Sequence, residues 1–160
     1  MSISYNLYIS AIPLEDLSEH LASKLNLSPV HAESPAPLKN DEWWCNLVHQ
    51  SRNPHTESDS VRLEVDRYVA VVFEPGKFIG WEHHFRGLSL ILDATRILLD
   101  QNPQSSAFFD FNYETVVLEK KKYQSLIVDP RLVDSNDLDK DGVFAKMFSA
   151  YVKVPLAQPE

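Results

Sequence analysis

FRGLSLILDATRILLDQ, residues 85–101, followed directly by NPQSSAFFDFNYETVVLEKKKYQSLIVD, residues 102–129, decides the fold. In the first part Leu88, Ile91, Leu92, Thr95, Leu98 and Leu99 recur at helical spacing, with Asp93, Arg96 and Asp100 on the opposite side. Leu90, Ala94 and Ile97 widen the apolar stripe, so the helix from Phe85 to about Gln101 is covered on more than one side. Asn102-Pro103 ends it, because proline disfavours helical geometry in the residue before it. In the second part Ala107, Phe109 and Phe111 share one face of a strand and Phe108, Asp110 and Asn112 the other. Residues 115–119 and 125–129 continue with β-branched residues across short polar turns, which predicts an antiparallel three-stranded meander.

Outward from this block the same reasoning covers most of the chain. Ile3, Tyr5, Leu7 and Ile9 alternate with Ser4, Asn6 and Tyr8, the pattern of a strand. Leu14, Leu17, Leu21 and Leu25 follow Pro13 at helical spacing, and Glu15, Asp16 and Glu19 favour the positive end of the helix dipole. Residues 29–42 read as a proline-marked loop, 43–49 as a strand and 50–60 as a second loop. Val61, Leu63 and Val65 alternate with Arg62, Glu64 and Asp66, which predicts a strand. It either forms a hairpin with the apolar run 68–73 or is continuous with it as one bent strand. Residues 130–142 read as an acidic irregular segment and 143–154 as a short terminal helix. The expected architecture is a single domain over 1–160 of α/β (α+β) type. It is a two-layer sandwich, with a mainly antiparallel sheet of about five to seven strands and two principal helices on one face.

Composition narrows the function. A net charge of −8 in 160 residues argues against nucleic acid, whose phosphates call for clustered lysine and arginine, and favours a basic partner. The chain opens with no basic segment leading into an apolar run, and no stretch approaches the ~20 apolar residues of a membrane span, so a soluble protein without a membrane partner is expected. A single cysteine, Cys45, makes no internal disulfide and fits a reducing cytoplasm. Nothing in composition speaks to the oligomeric state.

Chemical motifs are few. Asp137, Asp139, Asp141 and Gly142 open like a calcium loop, but the twelfth position is Phe148 in place of a bidentate carboxylate. His83 and His84 are adjacent and diverge on either a strand or a helix. Cys45, His49 and these histidines are the sole candidates for a zinc site or a Trp/His-lined pocket over 43–49 and 81–84, the feature of a small enzyme or ligand-binding domain. No phosphate loop, metalloprotease helix or nucleophile elbow is present. The reading is therefore of a protein that is not an enzyme, with no catalytic, metal-binding or cofactor-binding residues and no cofactor. Lys120, Lys121 and Lys122 read as the solvated tip of a hairpin. Charge of −3 gathers over 57–66 and again over 129–141, suited to steering a basic partner into place.

The succession ISYNLYI (3–9), a leucine-spaced helix, YVAVVFEPGKF (68–78), LSLILDATRILLD (88–100) and SSAFFDFNYETVVLEKKKYQSLIVD (105–129) resembles the small immunity proteins of myxobacterial contact-dependent toxin exchange systems. Phe73 and Lys77, closing the central strand, belong to that pattern, which covers residues 1–130. The resemblance implies binding and occlusion of a cognate bacterial toxin protein in the cytoplasm of the producing cell, and no catalytic residue. Asp59, Glu64, Asp66 and Trp81 are the expected partner-binding residues. The alternative from a different class is an interaction or scaffold domain unconnected with immunity.

Overall fold

A computed structural model describes residues 3–134, 139 and 141–159. In chain order the elements are β1 (Tyr5–Ile9), α1 (Leu14–Leu25), β2 (Ser28–Pro29), β3 (Leu38–Lys39), β4 (Trp43–Ser51), α2 (Glu57–Leu63) and β5 (Arg67–Pro75). There follow α3 (Trp81–Gln101), β6 (Ala107–Phe111), β7 (Thr115–Lys120), β8 (Ile127–Val128), α4 (Pro130–Asp134), α5 (Val143–Met147) and β9 (Val152–Lys153). The strands form one sheet in the order β2-β3-β4-β5-β1-β6-β7-β8-β9. Every pairing is antiparallel except β8 with β9. Four strands are two residues long, so five long ones, β4, β5, β1, β6 and β7, carry the sheet.

Strand alternation divides the side chains between two faces. Tyr5, Leu7 and Ile9 of β1, Val69, Val71 and Phe73 of β5, and Ala107 and Phe109 of β6 pack under α1 and α3 in the main core. The leucines of α1 and the Leu88, Ile91, Leu92, Leu98 and Leu99 stripe of α3 complete it. Phe144 and Phe148, from α5 and the residue after it, close the same layer. The opposite face is covered only in part. There Leu63 of α2 packs on Tyr8, Tyr68, Phe108 and Val116, with Leu156 of the C-terminal tail against the same group. Asp129 fixes that tail: its carboxylate accepts the Leu156 amide at 2.9 Å and pairs with Arg131 at 3.0 Å. Burial pushes this carboxyl up, but the bonds from Arg131 and Leu156 outweigh it and hold it down at about 2.

Several local expectations change. Residues 61–66 are neither a hairpin arm nor part of a bent strand, because 57–63 form α2. Asn53 Oδ1 accepts the amides of His55 and Thr56 ahead of it, and Glu57 and Asp59 occupy its first turn. Ser60 and Leu63 are then buried three residues apart while Val61 points to solvent. Glu64 ends the helix in the left-handed region at φ 60°. The segment expected to be irregular over 130–142 begins with α4. The terminal helix expected over 143–154 stops at Met147, and Val152–Lys153 joins the sheet edge. Asp139 accepts the amides of Phe144 and Ala145, both at 2.9 Å, so its carboxylate caps α5. Residues 135–138 and 140, which include Asp137 of the calcium-like loop, lie outside the described residues. Lys120 is no solvated tip: its buried ammonium donates to the carbonyls of Pro103 at 2.9 Å and Ser105 at 2.6 Å.

Candidate functional site: a groove on the half-covered sheet face

The register sets the floor of the site. Asn6 lies between Val72 of β5 and Asp110 of β6, and Tyr8 between Ala70 and Phe108. All of these point away from the α1/α3 layer. With α2 along one side and tail residues Ala157 to Pro159 along the other, they line a groove of about 1020 Å³.

Asp110 is the centre of this floor, only 5% exposed. Its Oδ1 accepts both Asn6 Nδ2 at 2.7 Å and the Tyr113 amide at 3.0 Å. Burial raises its pKa above the usual carboxylate range, against the lowering effect of Asn6, Tyr8 and Tyr113. Asp59, from the first turn of α2, accepts the Tyr68 hydroxyl at 3.0 Å and is also shifted up, chiefly by burial. The Tyr8 phenol lies beside Asp110, stacked on Phe108 at 4.3 Å between ring centres; burial and then the Asp110 charge push its pKa up. The two nearby cations are already engaged. Arg62 pairs with Glu119 at 2.8 Å and lies over the Phe108 ring at 5.2 Å. Lys121 sits 3.3 Å from Glu119 and 3.6 Å from Glu64. Among the described residues, Asp59 and Asp110 have no ion-pair partner of their own.

Of the four residues singled out from the sequence, Asp59 alone lines this groove. Glu64 ends α2 and Asp66 follows it, 3.7 Å from Arg52, neither of them in the groove lining. Trp81 lies elsewhere, 55% exposed in the first turn of α3 on the other layer, its ring against His84 and Phe85. Sequence reasoning missed Asn6, Tyr8, Tyr68 and Asp110. The signal available was the polar side of the alternation in 3–9 and 107–112, which a wet sheet face would produce equally well.

The Trp/His segments 43–49 and 81–84 do meet, but as packing. Trp43 and His84 are 5.6 Å apart edge to face, and His84 Nε2 and the Tyr5 hydroxyl share a 2.7 Å hydrogen bond. Burial lowers the His84 pKa and pushes Tyr5 up to about 12. His83 turns away to Glu42 at 2.7 Å. Cys45 is fully buried in the main core, where desolvation pushes its thiol up and away from the reactive thiolate. The gap beside Trp43 measures about 60 Å³. Pockets for drug-sized ligands run from roughly 300 Å³ upward, so this gap is small by that standard.

No family model matches the chain, and no curated protein or solved structure matches it. No helix among the described residues is long and apolar enough to cross a membrane.

Proposed function

We propose that this protein is a binding protein that neutralises a cognate bacterial toxin in the cytoplasm by occluding it, and that the contact is made by the half-covered face of the sheet. The observation that carries the reading is the asymmetry of that sheet. One face lies under α1 and α3, while the other leaves Trp44 and Val48 of β4 exposed beside a groove holding two unpaired carboxylates. Exposed apolar groups bordering desolvated charge are the ingredients of an interface core with its specificity contacts. Glu64 and Asp66, which follow α2 in the chain, would add negative potential that steers a basic partner. Trp81, on the other layer, is not part of this surface.

Co-expression with each neighbouring gene product tests the reading. Rescue of growth together with co-purification is expected for one of them, and loss of rescue on Val48→Lys in a folded variant would tie the effect to this face. Failure of every neighbouring product to be bound or neutralised would sink the immunity reading and favour an interaction domain of another kind.

A further inference from the structure

The groove floor has an unusual chemical bias. Asn6 is 1% exposed and its Oδ1 has no hydrogen-bond partner, although its Nδ2 is committed to Asp110. A buried acceptor left unmade costs about 1–3 kcal/mol, so its persistence calls for a donor that arrives from outside. Beside it stand Asp110, whose Oδ1 accepts from Asn6 and Tyr113 and which has the Tyr8 phenol against it, and Asp59 in the first turn of α2. Tyr8 and Phe108 stack on each other next to these acceptors, with Arg62 over the Phe108 ring. The lining is mixed, since Arg62 and Lys121 also border the groove and Arg62 Nε has no partner among the described residues, but the buried floor itself presents the Asn6 and Asp110 oxygens. The local cations Arg62 and Lys121 are held at the side by Glu119.

We propose that the groove is the receptor for an arginine side chain of the partner protein, seated between Asp110 and Asp59 with one of its N–H groups donated to Asn6 Oδ1. This rests on the proposed binding function and names its central contact. A guanidinium fits because it is planar and carries five donors and no acceptor, which matches a floor of carboxylate and amide oxygens. The occupant is a protein segment and not a free cation because the groove, at about 1020 Å³, is far larger than one side chain and runs open between α2 and the tail. Flanking backbone fills the remainder.

The test uses the full chain, 15N-labelled, titrated with N-acetyl-arginine amide, with the capped lysine and capped citrulline analogues as controls. The arginine probe is expected to give saturable shifts of the Asn6 side-chain amide and the Tyr113 backbone amide, with a dissociation constant on the order of 1–10 mM. Citrulline, isosteric but uncharged, should leave them unmoved. Asp110→Asn should weaken the arginine response about tenfold or more while the protein remains folded. Equal responses to arginine and citrulline, an unaffected Asp110→Asn variant or no saturable shift at these amides would each overturn the proposal. An equal response to lysine would overturn the guanidinium assignment. Failure here with a neighbouring gene product still neutralised removes the arginine site and leaves the binding function. Arginine binding without any neutralised product does the reverse.

Discussion

Asp110→Asn should make the protein more stable at neutral pH. In the wild-type protein Oδ1 of Asp110 takes both the Asn6 and Tyr113 bonds, so an amide oxygen in the same place keeps them. Changing a charged acceptor to a neutral one weakens those two bonds by about 0.5–1 kcal/mol each. Against this stands the cost of keeping a carboxylate out of water with no close ion-pair partner among the described residues, which in protein interiors amounts to several kcal/mol. Burial is the leading cause at this site and the pKa is raised on balance, so the ionised form is the disfavoured one. A net gain of about 1 kcal/mol follows, or roughly 2–4 °C in Tm for a chain of this size. The pH dependence separates this cause from any other. A carboxyl whose folded pKa is raised binds its proton more tightly in the folded state, so its stabilising contribution is complete below the ordinary value of 3.8 and is lost as pH rises through the raised value. Asp59, shifted the same way, and Arg62 both face Asp110 and are unchanged by the substitution. Urea unfolding at pH 7.5 and pH 4.0 should therefore show an advantage for Asp110→Asn at the higher pH that shrinks at the lower. A variant less stable than wild type at pH 7.5, or an advantage equal at both, would refute the reasoning.

Asp129→Ala removes five bonds to a buried carboxylate, from the amide, Nε and Nη2 of Arg131, the amide of Leu156 and Nε2 of Gln158, and should cost about 2–4 kcal/mol. Faster amide exchange at Leu156 would show the tail leaving the groove edge, whereas unchanged exchange would contradict its anchoring role. Gly87→Ala should destabilise by about 1–3 kcal/mol despite the better helix propensity of alanine, because a Cβ at 87 collides with the indole of Trp43. Shifted tryptophan fluorescence and an earlier urea midpoint are the readouts. His84 is held neutral by burial, so folding stability should fall as pH drops below its ordinary value of 6.5. Between pH 7.5 and 5.5, His84→Phe should flatten that slope, and an unaltered slope would assign it to other groups.

The core was legible because its periodicity is strong and redundant. The stripe of α3, the leucines of α1 and the alternation in β1, β5 and β6 all place on the inside the residues that the structure buries. Residues 57–66 misled because Val61, Leu63 and Val65 satisfy a period of two. The competing signals were an Asx turn at Asn53 and acids placed for a helix N-terminus, both local and weak in isolation. Lys120 misled because three consecutive lysines look alike in sequence. Only the fold brings the Pro103 and Ser105 carbonyls to one of them. The groove was hidden for a different reason. Asn6, Tyr8 and Asp110 belong to strands more than a hundred residues apart that become neighbours through the strand order β5-β1-β6. Their polarity could be read from the sequence, but not that α2 and the tail bury it.

Hydrogen exchange on a complex with the neutralised gene product tests the central claim most directly. New protection should concentrate in 43–51, 57–72 and 108–119, the strands and helix that frame the half-covered face, with 81–101 unchanged. Protection of 81–101 with that face exchanging as in the free protein would contradict it.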